Sequence, residues 1–468
     1  MSGQKRTDAL SAASAREGSP AKEATVNACR LCAPLGAALA FKGVEGAVSI
    51  LHGSQGCSTY IRRYLISHFR EPIDIASTNF TEESAIFGGR DAFSAALDNL
   101  ERQYAPSMIG AASTCLAETI GEDVAALAGE RAAERPEGAP VAAAATPSYA
   151  GSHRDGYRTA VEAIFRRFAE PALPGKEREG AVVIPPIVSC ADLRWLKSSL
   201  AEFGIGGAVV PDWSVSLEGG PWTEYAPIPP GGTPLRAIAA AGSAEACIEL
   251  GLPFREGKGA ASWLETERGA RAVRLNAPMG IALTDAYVAA LEEISGRSVP
   301  DGIAAERDRL ADAYADAHKY AAGKRVLVFG DEDFCVAAAA FLAETGFVPA
   351  LVACGGRSEG GVASAIGSLL DPNVLATSRI VEDADFEDME EAARDAGIDA
   401  MLGNSKGYKL ARAIRAPLVR CGFPVHDRFG GQRIRHLGYG GSLELFERLL
   451  NACIEREQDE GTRGYWYF

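Results

Sequence analysis

Three of the ten cysteines sit where a thiolate could meet a metal. Cys57 ends the stretch Leu51-His52-Gly53-Ser54-Gln55-Gly56-Cys57, which follows an apolar run over 47–51 that reads as a buried strand. Gly53 and Gly56 predict a tight loop, because glycine reaches backbone angles that a β-carbon forbids. Cys32 lies in Leu31-Cys32-Ala33-Pro34-Leu35-Gly36, and Cys115 in Ser113-Thr114-Cys115-Leu116-Ala117-Glu118. Spacings of 25 and 58 residues do not match a ferredoxin, so an iron–sulfur cluster here would be ligated from scattered loops. Such a cluster wants four or more thiolates. The missing ligands would come from another subunit, or from an oxygen such as that of Ser148. The competing reading is plain core packing, since free cysteine is among the most buried residue types. Cys190, Cys247, Cys335, Cys354, Cys421 and Cys453 take that reading, each within or ending an apolar stretch, though Cys354 and Cys421 also precede glycines. The pair Cys29-x-x-Cys32 leaves zinc and a redox dithiol open. Zinc needs two further ligands, and a redox motif should open a helix after a strand.

The elements that must position these residues alternate. Strands are predicted at 48–51, 107–112 and 141–145, with helices at 35–42, 58–69, 84–104 (interrupted at Gly88-Gly89) and 118–128. Further on, strands are predicted at 181–189, 207–211 and 271–275, with helices at 191–203 and 233–250. A last set has strands at 325–329, 348–353, 400–402 and 417–420 and helices at 334–345, 364–369, 387–396 and 408–414. Helical stretches at 284–296 and 303–322 precede it, and an amphipathic helix over 442–455 closes it. This alternation predicts an α/β protein of three Rossmann-like, doubly wound domains with parallel sheets. The expected divisions are a flexible tail over 1–25, then domains over 26–178, 179–300 and 301–468. In such folds ligands sit at the carboxyl ends of strands, where Cys57, Cys115 and Ser148 fall.

The whole chain narrows the chemistry. Of 468 residues, 47% are hydrophobic and 23% charged, as in an ordinary globular protein. A net charge of -15 argues against nucleic acid as a partner. No apolar run approaches the roughly 20 residues that cross a membrane, and the N-terminal residues lack a signal-peptide core. The expected location is cytoplasmic, with reduced thiols. There is no Walker A loop, no G-x-G-x-x-G after a strand and no HExxH. Gly330-Asp331-Glu332-Asp333 follows a strand, but its acids would repel a pyrophosphate.

Several ordered motifs together resemble one family. They are Cys32-Ala33-Pro34-Leu35-Gly36-Ala37, His52-Gly53-Ser54-Gln55-Gly56-Cys57, His68-Phe69-Arg70-Glu71-Pro72 and Thr81-Glu82-Glu83-Ser84-Ala85-Ile86-Phe87-Gly88-Gly89. Thr114 to Gly121, Thr146 to His153, Gly403-Asn404-Ser405 and Gly422 to Arg428 continue the series. From about residue 26 to 455 the chain resembles the β (K) subunit of nitrogenase component 1. The resemblance implies an oxidoreductase subunit in a heterotetramer of two β and two homologous α (D) subunits. It implies that Cys32, Cys57 and Cys115 are this chain's ligands to an interface 8Fe–7S P-cluster (or a 4Fe–4S cluster), with Ser148 able to join them and Tyr60 nearby. It places docking of an ATP-hydrolysing iron protein at Phe87, Thr119 and Ile120. The iron-containing catalytic cofactor would belong to the α subunit, so no catalytic residue is expected here.

Within that superfamily the chain resembles most the K subunit of methylthio-alkane reductase, which cleaves C–S bonds of small organic sulfur compounds. All three cysteines are kept, the arm before Cys32 is short, and Val425-His426-Asp427-Arg428-Phe429-Gly430-Gly431-Gln432 is similar to the cofactor-assembly scaffold. A nitrogenase β subunit reducing N2, or the scaffold subunit itself, is the alternative.

Overall fold

A computed structural model describes residues 28–175, 177–221, 224–252, 259–357 and 361–461. The expected tail over 1–25 and the aromatic residues Tyr465 to Phe468 lie outside them. Three all-parallel sheets form the frame. The first has the order β2-β1-β3-β4, from β1 (Ala47–His52), β2 (Ile75–Ser77), β3 (Met108–Ser113) and β4 (Val141–Ala144). The second has the order β6-β5-β7-β8, from β5 (Ala181–Ile184), β6 (Gly207–Val209), β7 (Ala246–Leu250) and β8 (Arg271–Leu275). The third has the order β11-β10-β9-β12-β13, from β9 (Arg325–Gly330), β10 (Val348–Cys354), β11 (Arg379–Val381), β12 (Ala400–Gly403) and β13 (Leu418–Arg420). The central strands are buried along their whole length, as expected when helices cover both faces of a parallel sheet.

The covering helices follow in chain order. Around the first sheet are α1 (Ala33–Lys42), α2 (Gln55–Phe69), α3 (Glu82–Phe87), α4 (Arg90–Tyr104), α5 (Cys115–Thr119), α6 (Val124–Glu134) and α7 (His153–Phe168). The second sheet has α8 (Cys190–Glu202), α9 (Leu235–Ala241), α10 (Ala260–Trp263) and α11 (Gly280–Ser295). After α12 (Asp301–Ala321) the third has α13 (Glu332–Glu344), α14 (Val362–Leu369), α15 (Pro372–Leu375), α16 (Phe386–Ala396) and α17 (Tyr408–Ile414), and α18 (Gly438–Glu460) closes the chain. None of the described helices is long and apolar enough to cross a membrane.

Several expectations need correction. The helix expected over 233–250 is only α9, and its second half is strand β7. A helix expected over 118–128 is two helices, because Gly121 takes a left-handed conformation between them and Asp123 caps the second. The strand expected over 181–189 ends at Ile184. Gly330-Asp331-Glu332-Asp333 follows β9, as expected, and its acids are built into the fold. Asp331 caps α13 by accepting from the Phe334 N–H, and Asp333 is buried between two arginines.

Each sheet has a switch point, where the chain, having wound outward from a strand, returns to wind the other way. In the first sheet it lies between β1 and β3, and in the third between β9 and β12. Those crevices, at the carboxyl ends, are where this architecture binds ligands.

Candidate metal centre

The three sequence-predicted cysteines come together at the first sheet's carboxyl edge, each at the start of a helix. Cys32 is the N-cap of α1, Cys57 the third residue of α2, and Cys115 the first of α5. Cys57 follows β1 and Cys115 follows β3, so they flank the switch point. Unpaired N–H groups and the helix dipole at such positions favour a negative sulfur over a neutral one. Cys32 is brought in by backbone pairing with Ser152, beyond the end of β4.

Of the ten cysteines, these three alone keep part of their surface open, and the other seven are buried. Burial pushes the Cys32 thiol up to about 11, and the charges of Cys57 and Cys115 push in the same direction. The Cys57 and Cys115 sulfurs therefore each lie near enough to Cys32 to oppose its ionisation. No described group of His, Cys, Asp and Glu converges on a point that would hold a single metal ion. Cys29 turns away from Cys32: it is buried and its thiol faces the Gly330 carbonyl at 3.9 Å. The CxxC pair is thus split between two environments.

Ser148 connects two of the three cysteines. Its backbone N–H donates to Cys115 Sγ at 3.2 Å, and its hydroxyl accepts from the Ala33 N–H at 3.1 Å, one residue after Cys32. Near Cys57 the Ser54 hydroxyl lies 3.7 Å from the sulfur. The geometry separates the two glycines of this stretch. A β-carbon on Gly53 would stand 1.9 Å from Thr114 Oγ1, so β1 and β3 can approach here only over glycine. Gly56 has ordinary helical surroundings with open space, and no constraint demands glycine there. Tyr60 is half exposed on the same helix as Cys57, its ring 4.8 Å from that of Tyr64. Partial burial raises its phenol, with Tyr64 and the charge of Cys32 acting in the same sense.

Phe87 and Ile86 form an apolar knob at the end of α3, 82% and 74% exposed. Thr119 is exposed and Ile120 half-buried at the far end of α5, the helix that begins with Cys115. At 1.5 Å per residue, the Cα atoms of Cys115 and Thr119 lie about 6 Å apart along that helix. The Thr119 hydroxyl donates to the Cys115 carbonyl at 2.7 Å, tying the two ends together.

Glu122 was not singled out from the sequence, yet it braces this face. One carboxylate oxygen accepts from the Gly89 N–H at 2.7 Å, and the other lies 3.2 Å from His52 Nε2. The His52 ring is buried edge-on to Phe80 and Phe93. Burial lowers its pKa against the pull of Glu122, so the ring stays neutral and donates. The only sequence signal was a histidine next to Gly53, with no hint of its partner 70 residues away.

The model of the family described as nitrogenase component 1 type oxidoreductase matches residues 32–454. The nitrogenase molybdenum-iron protein beta chain of Clostridium pasteurianum is 33% identical over 443 residues, 94% of this chain and 96% of that one. That of Azotobacter vinelandii is 32% identical over 94% of this chain and 86% of its own length. Among solved structures, a chain titled "Nitrogenase Cp1 at pH 6.5" superposes with a TM-score of 0.90 at 31% identity, covering 98% of this chain and all of that one. A chain of "Nitrogenase Cp1 at pH 5" shares the fold at a TM-score of 0.66 and 15% identity.

Proposed function

The chain belongs to the nitrogenase component 1 type oxidoreductases, as a β-type subunit, and from that we propose that Cys32, Cys57 and Cys115 hold this subunit's half of an 8Fe–7S P-cluster. The carrying observation is that these three cysteines alone are partly open, each begins a helix, and they ring the switch point of one sheet. A multinuclear cluster offers separate irons to separate thiolates, so a trio that does not converge on one point suits it better than it suits a lone ion. The N–H of Ser148 aimed at Cys115 Sγ is the kind of donor that tunes cluster sulfur. The open side of the trio is where the α subunit would supply the remaining ligands. When bound, such a cluster accepts and releases electrons.

Phe87, Thr119 and Ile120 are the docking surface for an ATP-hydrolysing iron protein. An exposed aromatic knob beside a helix end that leads to Cys115 supports this reading. Ser148 and Tyr60 are the remaining residues at the cluster. The complex is a heterotetramer with the α subunit, which carries the catalytic cofactor.

For the member of the family, the reading is methylthio-alkane reductase, supported by the scaffold-like stretch Val425 to Gln432 combined with three retained cysteines. The length of the arm before Cys32 lends no support, because the Clostridium chain is matched over 96% of its own length. A dinitrogen-reducing β subunit is the second reading, favoured by the names of the relatives.

Mössbauer and EPR spectra of the anaerobically purified complex test the cluster. Cys57→Ala is expected to remove cluster iron and abolish turnover, and unchanged iron and turnover would overturn the assignment. Assays with dimethyl sulfide or methylthioethanol, run beside N2 reduction with the full system, decide the member. Methane or ethylene release from those thioethers without ammonia is the expected result.

A further inference from the structure

At the opposite end of the first sheet from the cysteines, Lys42 closes α1 with its side chain folded inward, only 8% exposed. Its carbonyl accepts from the Ser216 hydroxyl at 3.0 Å. Its amine makes no hydrogen bond or ion pair with a described residue. That is unusual for a buried lysine, which is normally paired. The side chain lines a pocket of about 180 Å³ beside Asp74, Tyr104 and the apolar walls of Val48, Pro72 and Ile228.

Asp74 does not satisfy the amine. It already accepts from the Tyr104 hydroxyl at 3.1 Å and lies 3.6 Å from an Arg62 nitrogen. Arg62 lies outside the pocket lining, so Asp74 is drawn away from Lys42 toward a neighbour beyond the pocket wall. The amine is lowered to about 8 by burial, with Asp74 acting against that, so it remains mostly charged near neutrality. The pocket thus combines an ammonium held in no direct ion pair with a short apolar trough. At roughly 30 Å³ per water it holds about six waters' worth of volume, the scale of a very small molecule.

We propose that this pocket binds a short-chain aliphatic monocarboxylate, its carboxylate paired with the Lys42 ammonium and its chain laid against Val48, Pro72 and Ile228. Tyr104, whose phenol is turned to Asp74, closes one wall rather than binding the acid. The site is independent of the cysteines and of any cluster they hold.

Butyrate is the probe, and the purified full complex is the sample. Equilibrium dialysis with radiolabelled butyrate should show saturable uptake of one molecule per β chain at millimolar concentration, the strength expected of one ion pair and a short chain. Butyrate, but not the neutral isostere butyramide, should slow acetylation of Lys42 by acetic anhydride, read by peptide mass spectrometry. Lys42→Met should weaken uptake at least about tenfold, whereas Lys42→Arg, which keeps the charge, should retain part of it. Absence of saturable uptake by the unaltered complex would overturn the proposal. So would uptake that Lys42→Met leaves unchanged, or protection of Lys42 by butyramide as strong as by butyrate.

Discussion

At the scale of single residues, the fold holds Glu332 in an unfavourable state. Glu332 opens α13 with both carboxyl oxygens buried and without a hydrogen-bond partner among the described residues. A β-carbon on Gly356 would stand 1.8 Å from one of them, so the glycine is what makes room for the acid. Burial raises its pKa from 4.5 to about 8, and Arg154 only partly opposes this. The native state thus keeps a proton that the unfolded chain releases at about 4.5. Stability from this group is intact below that pH and falls as pH rises toward 8. Glu332→Gln should therefore match the parent near pH 5 and exceed it by a few kcal/mol near pH 8, because a tenfold difference in proton affinity between folded and unfolded chains corresponds to about 1.4 kcal/mol. Thermal melts across that range check it, and a constant difference between the two proteins would refute it. The cysteines are the contrasting case. Their positions were legible from glycines and strand ends in the sequence, because local chain geometry decides them. The bracing of His52 by Glu122 was not legible, because a contact between residues 70 apart leaves no local pattern.

At the scale of elements, the cysteine site depends on how closely α1 approaches α7. Gly36 and Gly156 face each other's backbones. A β-carbon on Gly36 would lie 1.7 Å from the His153 carbonyl oxygen, and one on Gly156 1.9 Å from that of Ala33. α1 carries Cys32 at its N-cap, while α7 begins beside Ser152, which pairs with Cys32. Gly36→Ala must push these helices apart. It is expected to destabilise the chain by about 1–3 kcal/mol, the usual result of overpacking, and, on the proposed assignment, to lower the iron held by the cysteines along with it. Gly129→Ala is the control. Gly129 lies inside α6 with nothing within 4 Å of a new β-carbon, so the change should stabilise by about 0.5–1 kcal/mol. Denaturation midpoints and iron content of both variants decide the matter. Elements themselves were read unevenly from the sequence. α17 and β8 were found at their observed bounds because Gly, Pro and charge mark their ends. β7 was absorbed into a helix because it is buried on both faces, so its residues do not alternate, and they follow an alanine-rich helix. β2 and β11 were missed as three-residue edge strands, too short to show a period.

At the scale of the molecule, the three sheets are held on one buried charge network. Arg158 of α7 bonds Glu249 of β7 at 2.9 Å and Asp333 of α13 at 3.1 Å, and donates to the Leu250 carbonyl. Arg154, one turn earlier, reaches the same Asp333 at 3.0 Å and the Leu252 carbonyl at 2.6 Å. Asp333 in turn accepts from the Leu252 N–H at 2.7 Å. One carboxylate therefore joins a helix covering the first sheet, the carboxyl end of the second and the first turn of the third. Burial alone would raise the Asp333 pKa, but the two guanidiniums hold it below the usual carboxylate range. Nothing in the sequence announced this. The acids of Gly330-Asp331-Glu332-Asp333 were visible, but their partners lie up to 179 residues away, from Arg154 to Asp333. Breaking a buried pair by removing one member strands the other, at about 3–5 kcal/mol. Asp333→Ala strands Arg154, leaves Arg158 with Glu249 as its one carboxylate in this network and frees one backbone N–H, so its effect should reach at least the top of that range. Asp333→Asn keeps the shape and loses the charge, so it should fall between Ala and the parent. The distinctive consequence is cooperativity. With the joint removed, the third sheet should unfold apart from the first two, giving a urea transition that is broader or split. Limited proteolysis should then cut first between α11 and α12, around 296–300, where the chain passes toward the third sheet. A single transition of unchanged slope, shifted only in midpoint, would mean that Asp333 stabilises the chain without coupling its sheets.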